Sequence, residues 1–295
     1  MSDLTYHVPV MVKEVIEGLD IQPGRQYIDA TLGGGGHAWE IVKRGGDLLG
    51  LDLDQEALEF AREKLEVGSK KLEKIGKWKF VKGNFRDIEK IARENGFDRV
   101  DGILFDLGVA SHQLDTGERG FSYRFRENAL DLRFDQKRGV PASELINHLS
   151  GEELYEIFAK FGEEKRARAI AYAVVRARHL EPIYKAGDLA DLVGREVAEK
   201  DLPGTLSRIF QALRIVINNE TGNLTKGLAG AQKLLVSGGR IVVISFQSLE
   251  DRAVKRFLRE GSFKILTKKP LTPTKSELKT NIRARSAKLR IAEKL

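Results

Sequence analysis

The first 107 residues alternate short apolar segments with amphipathic ones, and this alternation constrains the fold more than any other feature. The apolar segments predict strands at 26–32, 47–53, 78–83 and 100–107. The segments between them have the apolar spacing of helices. Strands that alternate with helices form a parallel sheet with right-handed crossovers. The sequence therefore predicts an α/β fold in which these strands end at one edge of the sheet.

The predicted strand ends carry the candidate binding residues. Asp29, Asp52 and Asp106 lie at the ends of the first, second and fourth strands, and Phe85 follows the third. Ligands of open α/β sheets bind beyond the carboxyl ends of the strands. We therefore expect these four side chains to surround one site.

Four consecutive glycines, Gly33 to Gly36, join the first strand to a predicted helix. Glycine permits positive φ angles and close approach of the backbone to a ligand at a helix N-terminus. For an isolated glycine run, a flexible surface loop is the alternative. Gly33, Gly35 and Ala38 satisfy G-x-G-x-x-[GA], and Asp52 lies at a suitable distance for a ribose contact.

This glycine pattern alone is compatible with NAD, FAD or S-adenosylmethionine. Asp29 precedes the glycines, where it could face the positively charged methionine end of S-adenosylmethionine. No constellation for hydride transfer follows in the sequence. Both observations favour S-adenosylmethionine as the cofactor.

The alternation stops after the fourth strand. Residues 109–205 contain no convincing strand, and helical patterns occur at 143–161, 163–180 and 187–199. Strand patterns return at 240–246 and 263–266, and 286–294 is predicted to be an edge strand. We therefore predict a sheet domain built from 1–110 and 207–295. Residues 111–206 form an inserted helical domain, which we assign to substrate recognition.

Basic and aromatic residues are interleaved between 117 and 138. This composition suits the phosphates and unstacked bases of a single-stranded nucleic acid. The alternative is that the aromatic side chains simply hold the loop against a core. The sequence alone leaves both interpretations open.

The positive charge of the chain is local. Residues 263–295 contain ten Lys or Arg against two Glu, so this segment carries +8 while the formal net charge of the chain is +7. A basic segment of this kind favours a polyanionic partner, with a solvated tail as the alternative. The ten residues are Lys264, Lys268, Lys269, Lys275, Lys279, Arg283, Arg285, Lys288, Arg290 and Lys294.

Composition excludes several kinds of chemistry. The chain has no cysteine, which excludes disulfides, thiolate metal sites and a cysteine nucleophile. Its five histidines show no metal-ligand spacing, so we expect no metal. The longest apolar runs have the length of strands, so we expect no membrane-spanning segment and a cytoplasmic protein.

Several longer motifs carry a specific resemblance. The segments DATLGGGGHA, LDLD, DGILFDLGVASHQLD, RGFSY, LDLRFD, FQALRI, GGRIVVISFQSLEDRAVKRF and RARSAKLRIAEK occur in this order. Together they resemble the MraW/RsmH family, S-adenosylmethionine-dependent methyltransferases that act on cytosine N4 of small-subunit (16S) ribosomal RNA. The resemblance implies a class I, Rossmann-like methyltransferase sheet with a helical insertion. Gln247 stands where the family usually has His.

The resemblance also implies roles for individual residues. Gly35, Gly36 and His37 would contact the cofactor, Asp52 the ribose and Phe85 the surroundings of the adenine. Asp106 and Gln113 would lie at the methionine end. Asp106 is our candidate for orienting the amine that is methylated, and a purely cofactor-binding role is the alternative.

The partner implied by the resemblance is ribosomal RNA, either free or in the assembled small subunit. The oligomeric state stays open. Two other functions are carried as alternatives: a non-catalytic protein that binds RNA or assists ribosome assembly, and a dinucleotide-dependent oxidoreductase.

Overall fold

The computed structural model describes residues 9–70, 72, 75–108, 121, 123–137 and 139–295 of the chain. Contacts divide the chain into two compact units. The sheet unit comprises Met1–Gly108 and Thr221–Leu295, and the helical unit comprises Val109–Glu220. The predicted return to the sheet domain at residue 207 falls inside the helix Leu202–Ile217, which belongs to the helical unit.

The sheet unit contains one seven-stranded sheet in the order β3-β2-β1-β4-β5-β7-β6. Strands β1 to β5 pair in parallel, whereas β7 runs antiparallel to both β5 and β6. The predicted parallel sheet is therefore mixed at one side, and the predicted α/β fold is confirmed. The strands are β1 Gln26–Asp29, β2 Asp47–Asp52, β3 Trp78–Lys82, β4 Val100–Asp106, β5 Leu235–Ser245, β6 Phe263–Ile265 and β7 Lys288–Lys294.

Twelve α-helices occur among the described residues, and none of them is long and apolar enough to cross a membrane. They are α1 Val12–Leu19, α2 Gly36–Lys43, α3 Gln55–Ser69, α4 Ile88–Glu94, α5 Ala142–His148, α6 Gly151–Lys160, α7 Ala167–Arg178, α8 Ala186–Glu196, α9 Leu202–Ile217, α10 Glu220–Leu234, α11 Ser248–Glu260 and α12 Lys275–Thr280.

Successive residues of the central strands face two different cores. Tyr27 and Leu48 belong to one buried cluster, whereas their chain neighbours Ile28 and Leu49 belong to another. All four side chains are at most 1% exposed. Because both faces of the sheet are covered, these strands have no polar face, which explains their nearly continuous apolar sequence.

Strand β7 is not the edge strand that the sequence predicts. It lies between β5 and β6, and β6 forms the edge. The alternation of Leu289 and Ile291 with polar residues suggested one solvated face. On that face, however, Arg290 is 7% exposed and donates two hydrogen bonds to Asp251, at 2.7 and 3.2 Å. The polar residue at position 290 is therefore buried in an ion pair and does not face solvent. For this reason the sequence pattern of an interior strand looked like that of an edge strand.

The helical unit has a core of its own, to which α5 through α9 contribute. The single helix predicted at 143–161 is two helices, α5 and α6. Ser150 separates them because its hydroxyl accepts a hydrogen bond from the Glu153 amide while Glu153 bonds back to the Ser150 amide. This capping box is a strong helix-start signal.

The described part of the basic and aromatic loop is held by the core of the helical unit. Phe121 stacks on Phe134, with ring centroids 5.6 Å apart, and Tyr123 packs edge-on against Phe210. The Arg133 guanidinium donates to both carboxylate oxygens of Asp131. For these residues the structure favours the packing interpretation over direct nucleic-acid contact.

Candidate active site

Asp29 ends β1 and is 1% exposed. Its Oδ1 accepts a hydrogen bond from the Thr31 amide at 3.1 Å, and its Oδ2 has no hydrogen-bond partner among the described residues. The Thr31 hydroxyl oxygen in turn accepts a hydrogen bond from the Asp106 amide at 2.6 Å. Thr31 thus links the carboxylate at the end of β1 to the backbone at the end of β4.

Asp106 and His37 face each other at this edge. His37 Nδ1 lies 3.7 Å from Asp106 Oδ2, and His37 Nε2 lies 2.9 Å from the carbonyl oxygen of Val10. Asp106 Oδ1 is buried and has no hydrogen-bond partner among the described residues. The structure therefore brings two of the predicted site residues together and leaves one carboxylate oxygen of Asp106 available to a ligand.

Burial dominates the electrostatics of the two carboxyl groups. It raises the pKa of Asp29 to about 7, against the opposing effect of the Thr31 amide, and the Asp52 carboxylate adds to the increase. The pKa of Asp106 is raised well above its ordinary range by burial and by the nearby Asp29 and Glu250 carboxylates. A positively charged ligand would favour the ionised form of both groups.

Asp52 fastens the glycine loop to the end of β2. Its Oδ2 accepts a hydrogen bond from the Gly33 amide at 2.8 Å, and its Oδ1 accepts one from the Asp54 amide at 2.9 Å. Burial nevertheless raises the pKa of Asp52, against the effect of these amides. Because each carboxylate oxygen has a second lone pair, Asp52 can still accept hydrogen bonds from the hydroxyls of a ribose.

The glycine loop packs closely against the protein itself. Gly35 has φ of +68°, and a Cβ there would lie 2.8 Å from the Ala61 Cβ on α3. A Cβ at Gly36 would lie 2.6 Å from the Pro9 ring. The sequence analysis explained these glycines by the close approach of a ligand. The contacts show that packing against Ala61 and Pro9 also leaves no room for a side chain at Gly35 and Gly36. Their contact with a cofactor stays a prediction.

Phe85 begins a short 3-10 turn directly after β3. Its ring packs edge-on against Phe105, with centroids 5.8 Å apart, and a Cβ at Gly227 of α10 would lie 2.8 Å from it. Phe85 is thus held in place from one side while remaining half-buried. Its predicted position near an adenine is not tested by these contacts. Gln113 lies outside the described residues.

Gln247 is a site residue to which the sequence analysis gave no role. Its Oε1 is buried and has no hydrogen-bond partner among the described residues. The Glu250 carboxylate accepts hydrogen bonds from the Phe246 and Gln247 amides, and the same carboxylate acts on Asp106. Gln247 follows β5 by two residues, so the rule that located the other strand ends could have found it.

The ends of three neighbouring strands, β1, β4 and β5, therefore each carry one acceptor oxygen that has no partner among the described residues: Asp29 Oδ2, Asp106 Oδ1 and Gln247 Oε1. Buried acceptors without partners are unfavourable unless a ligand or water satisfies them. No group of three or more His, Asp or Glu able to hold a metal ion occurs among the described residues. The site is built to receive hydrogen-bond donors and positive charge.

The sheet order and the acceptors at its carboxyl edge define a Rossmann-like, class I methyltransferase. Residues 4–295 match the MraW methylase family, and the chain belongs to that family. It is therefore a methyltransferase, and its cofactor is S-adenosylmethionine.

Two relatives illustrate the similarity. The chain is 45% identical to a ribosomal RNA small subunit methyltransferase H of a Cyanothece species, over 98% of this chain and 95% of the relative. It is 43% identical to the protein of the same name from Carboxydothermus hydrogenoformans, over 98% of each chain.

Solved structures resemble the chain more distantly. An rRNA methylase from Streptococcus thermophilus is 11% identical, with a TM-score of 0.45 and coverage of 96% of this chain and 93% of that one. A magnesium protoporphyrin IX methyltransferase from Synechocystis is 10% identical, with a TM-score of 0.43 and coverage of 96% and 78%.

Proposed function

We propose that this enzyme transfers a methyl group from S-adenosylmethionine to the exocyclic N4 of a specific cytidine in small-subunit ribosomal RNA. Its family membership and the names of its relatives support the class of substrate. The observation that carries the proposed chemistry is the buried Oδ1 of Asp106, an acceptor without a partner among the described residues. We infer the cytoplasm, where ribosomes are built, as the place of action.

The residues at the edge of the sheet fit this cofactor. When bound, S-adenosylmethionine supplies a methyl group carried on a positively charged sulfur. Asp29 and Asp106 each offer positive charge a carboxylate oxygen that no described residue contacts by a hydrogen bond, and Asp52 offers acceptors to a ribose. By the family resemblance, Gly35, Gly36, His37, Phe85 and Gln113 complete the set that holds the cofactor.

The same geometry disfavours a dinucleotide. The Gly33 amide donates to Asp52, and the Gly35 amide donates to the Leu32 carbonyl at 2.9 Å, so two loop amides are already engaged. A pyrophosphate would also lie close to the carboxyl groups of Asp29 and Asp106. Among the described residues, the charged groups that shift the pKa values of these two residues are other carboxyls, so the pyrophosphate would be repelled. This speaks against the oxidoreductase alternative, and the names of the relatives speak against a non-catalytic protein.

The amine of cytosine requires the kind of acceptors that the site offers. Its nitrogen lone pair is delocalised into the ring, so the nitrogen becomes nucleophilic only when acceptors hold its N–H groups and take up charge. Asp106 Oδ1 is such an acceptor, and Gln247 Oε1, just beyond the end of the neighbouring strand β5, is a second candidate. The absence of cysteine excludes the covalent route to the C5 position. The base would have to be unpaired or flipped out of its stack.

The first prediction tests this function directly. Methyl transfer from tritiated S-adenosylmethionine to free RNA and to assembled small subunits should give N4-methylcytidine on nucleoside analysis. Asp106→Asn keeps the shape of the side chain and removes its charge, so single-turnover transfer should slow about 10²- to 10⁴-fold. Asp101→Asn is the matched control, because Asp101 lies at the opposite end of the same strand, beside Arg25.

Two results would contradict the proposal in different ways. A methyl group found on C5 or on a ribose would overturn the assignment of the reaction. A transfer rate of Asp106→Asn close to that of the unmodified enzyme would remove Asp106 from the chemistry, leaving Gln247 or a backbone carbonyl as the acceptor.

A further inference from the structure

We propose that His37 and Asp106 hold a single proton between them, and that this pair accepts the proton that N4 loses during methyl transfer. The proposal rests on the proposed function, because it assigns the fate of that proton. His37 acts as a positioning residue: it faces Asp106 and makes that carboxylate a competent acceptor.

The tautomer of His37 is set by its second contact. The Nε2 atom lies 2.9 Å from the Val10 carbonyl oxygen, which can only accept a hydrogen bond. Nε2 must therefore carry a hydrogen. In the neutral ring, Nδ1 is then the lone-pair atom, and it is this atom that lies 3.7 Å from Asp106 Oδ2. The lone pair of the ring thus faces the carboxyl at the separation of an ion pair, so a proton taken up by either group is stabilised by the other.

The surroundings of the pair favour the protonated state when no cation is bound. Among the described residues, the charged groups that raise the pKa of Asp106 are Asp29 and Glu250, and Asp52 raises that of Asp29; all are carboxyls. His37 and Asp29 are 5% and 1% exposed, so water screens these charges poorly. A shared proton relieves this concentration of negative charge. A cation bound at the Asp29 and Asp106 oxygens would replace that proton.

The reaction then balances in atoms and charge. N4 forms a bond to the methyl carbon, the carbon–sulfur bond breaks, and its electrons remain on sulfur. N4, now carrying one hydrogen too many, loses a proton to Asp106, and His37 Nδ1 shares that proton. The pair returns to its unprotonated state when the next positively charged cofactor binds and the proton leaves to solvent.

Two substitutions separate the two contacts of the imidazole. In His37→Gln, the longer amide can still donate to the Val10 carbonyl, but nothing titratable faces Asp106. In His37→Asn, the shorter amide can reach toward Asp106 but cannot donate to Val10. His148→Gln is the control, because His148 also faces a carboxylate, Glu144, but is 72% exposed and lies in the helical unit.

The measurement that does not depend on activity is a proton count. Calorimetry of S-adenosylmethionine binding near neutral pH, in buffers of different ionisation enthalpy, should show release of about one proton by the unmodified enzyme. His37→Gln and Asp106→Asn should each release markedly less, and His148→Gln should be unchanged. S-adenosylhomocysteine, whose sulfur is neutral, should release less from the unmodified enzyme.

The pH dependence of transfer provides the second readout. At saturating cofactor, single-turnover transfer by His37→Gln should slow roughly 10- to 100-fold, at the lower end of acid–base effects. Its inflection should move to lower pH, because Asp106 loses the imidazole that stabilises its protonated form. A purely structural role of His37 would lower the melting temperature or cofactor affinity without moving this inflection.

The proposal is overturned if His37→Gln releases the same number of protons and shows the same pH profile as the unmodified enzyme, while Asp106→Asn remains slow. That result would leave the proposed function intact. If neither His37 variant folds, the proton count of Asp106→Asn decides, since an unchanged count there also excludes the pair. A product other than N4-methylcytidine would instead overturn the proposed function.

Discussion

A single buried carboxyl, Asp29, links the binding site to the stability of the fold. Its pKa rises from an ordinary 3.8 to about 7 in the folded chain. Between these values the folded state keeps a proton that the unfolded state has lost, so stability falls as pH increases through this window. The Asp29 carboxyl, which is placed to face a positively charged ligand, therefore destabilises the folded chain at neutral pH when no such ligand is bound.

Replacement of Asp29 tests this sign. Asn cannot ionise, so the Asp29→Asn variant should lose less free energy of unfolding between about pH 4 and pH 8 than the unmodified chain, by about 4 kcal/mol. Urea unfolding at several pH values without cofactor measures the difference. Asp101→Asn serves again as the control. Parallel stability curves for Asp29→Asn and the unmodified chain would show that Asp29 does not carry this linkage.

At the residue scale, the sequence predicted which aspartates lie at the strand ends, but it did not predict which side chains lie next to them. Asp29, Asp52 and Asp106 followed from the rule that parallel strands end at one edge. The facing of His37 and Asp106 did not follow, because 69 positions separate them and only the pairing of β1 with β4 brings them close. Gln247 was given no role because the sequence analysis stopped at the last residues of the strands, and nothing in the sequence shows that its amide oxygen has no partner among the described residues.

At the element scale, the basic segment 263–295 serves two purposes. Arg290 is bound to Asp251, and Lys294 donates to the Gln232 and Leu235 carbonyls at 2.7 and 2.6 Å, so both are parts of the sheet and its supports. Arg283 and Arg285, in contrast, are exposed. Counting charges along the sequence could not separate these two groups, since the separation depends on which side chains β7 turns inward.

This division predicts opposite effects of two sets of substitutions. Arg283→Ala with Arg285→Ala should weaken RNA binding and lower its dependence on salt, by up to about 1.4 in the logarithmic slope for two phosphate contacts with single-stranded RNA. Cofactor affinity should not change. Salt titrations of RNA binding provide the measurement.

The companion substitution is Arg290→Ala, which removes two hydrogen bonds to the buried Asp251 carboxylate and leaves it with Lys288 Nζ at 3.7 Å. It should cost about 3–5 kcal/mol of stability. If the variant that combines Arg283→Ala and Arg285→Ala binds RNA with the original dependence on salt, the exposed part of the segment is a solvated surface and phosphate binding lies elsewhere.

At the scale of the whole molecule, the described residues form three buried hydrophobic clusters, and the third contains only residues of the helical unit. The sequence loses its strand patterns after β4, close to Val109, where the helical unit begins. It could not give the end of the helical unit at Glu220, because α9 and α10 are both amphipathic and follow one another almost without interruption. The assignment of this unit to substrate recognition remains a prediction.

A cavity in the third cluster tests the separation of cores. Phe158 is fully buried there, so Phe158→Ala should cost about 3–5 kcal/mol. Because none of the described site residues belongs to this cluster, S-adenosylmethionine affinity should stay the same at temperatures where the variant is folded. Thermal unfolding and calorimetric titration measure the two quantities. A large loss of affinity would show that the site depends on the helical core.

The position of β7 has a consequence for biosynthesis. During synthesis β6 leaves the ribosome before β7, the strand with which β6 pairs. The apolar residues of β5 from Ile241 to Ile244 also pair with β7, so they have no strand on that side until β7 has been made. Until Lys294 has left the exit tunnel, the nascent chain presents an open sheet edge, and such edges recruit other chains. A translating ribosome that stalls ahead of Lys288 would therefore hold a chain that chaperones and proteases can recognise as unfinished.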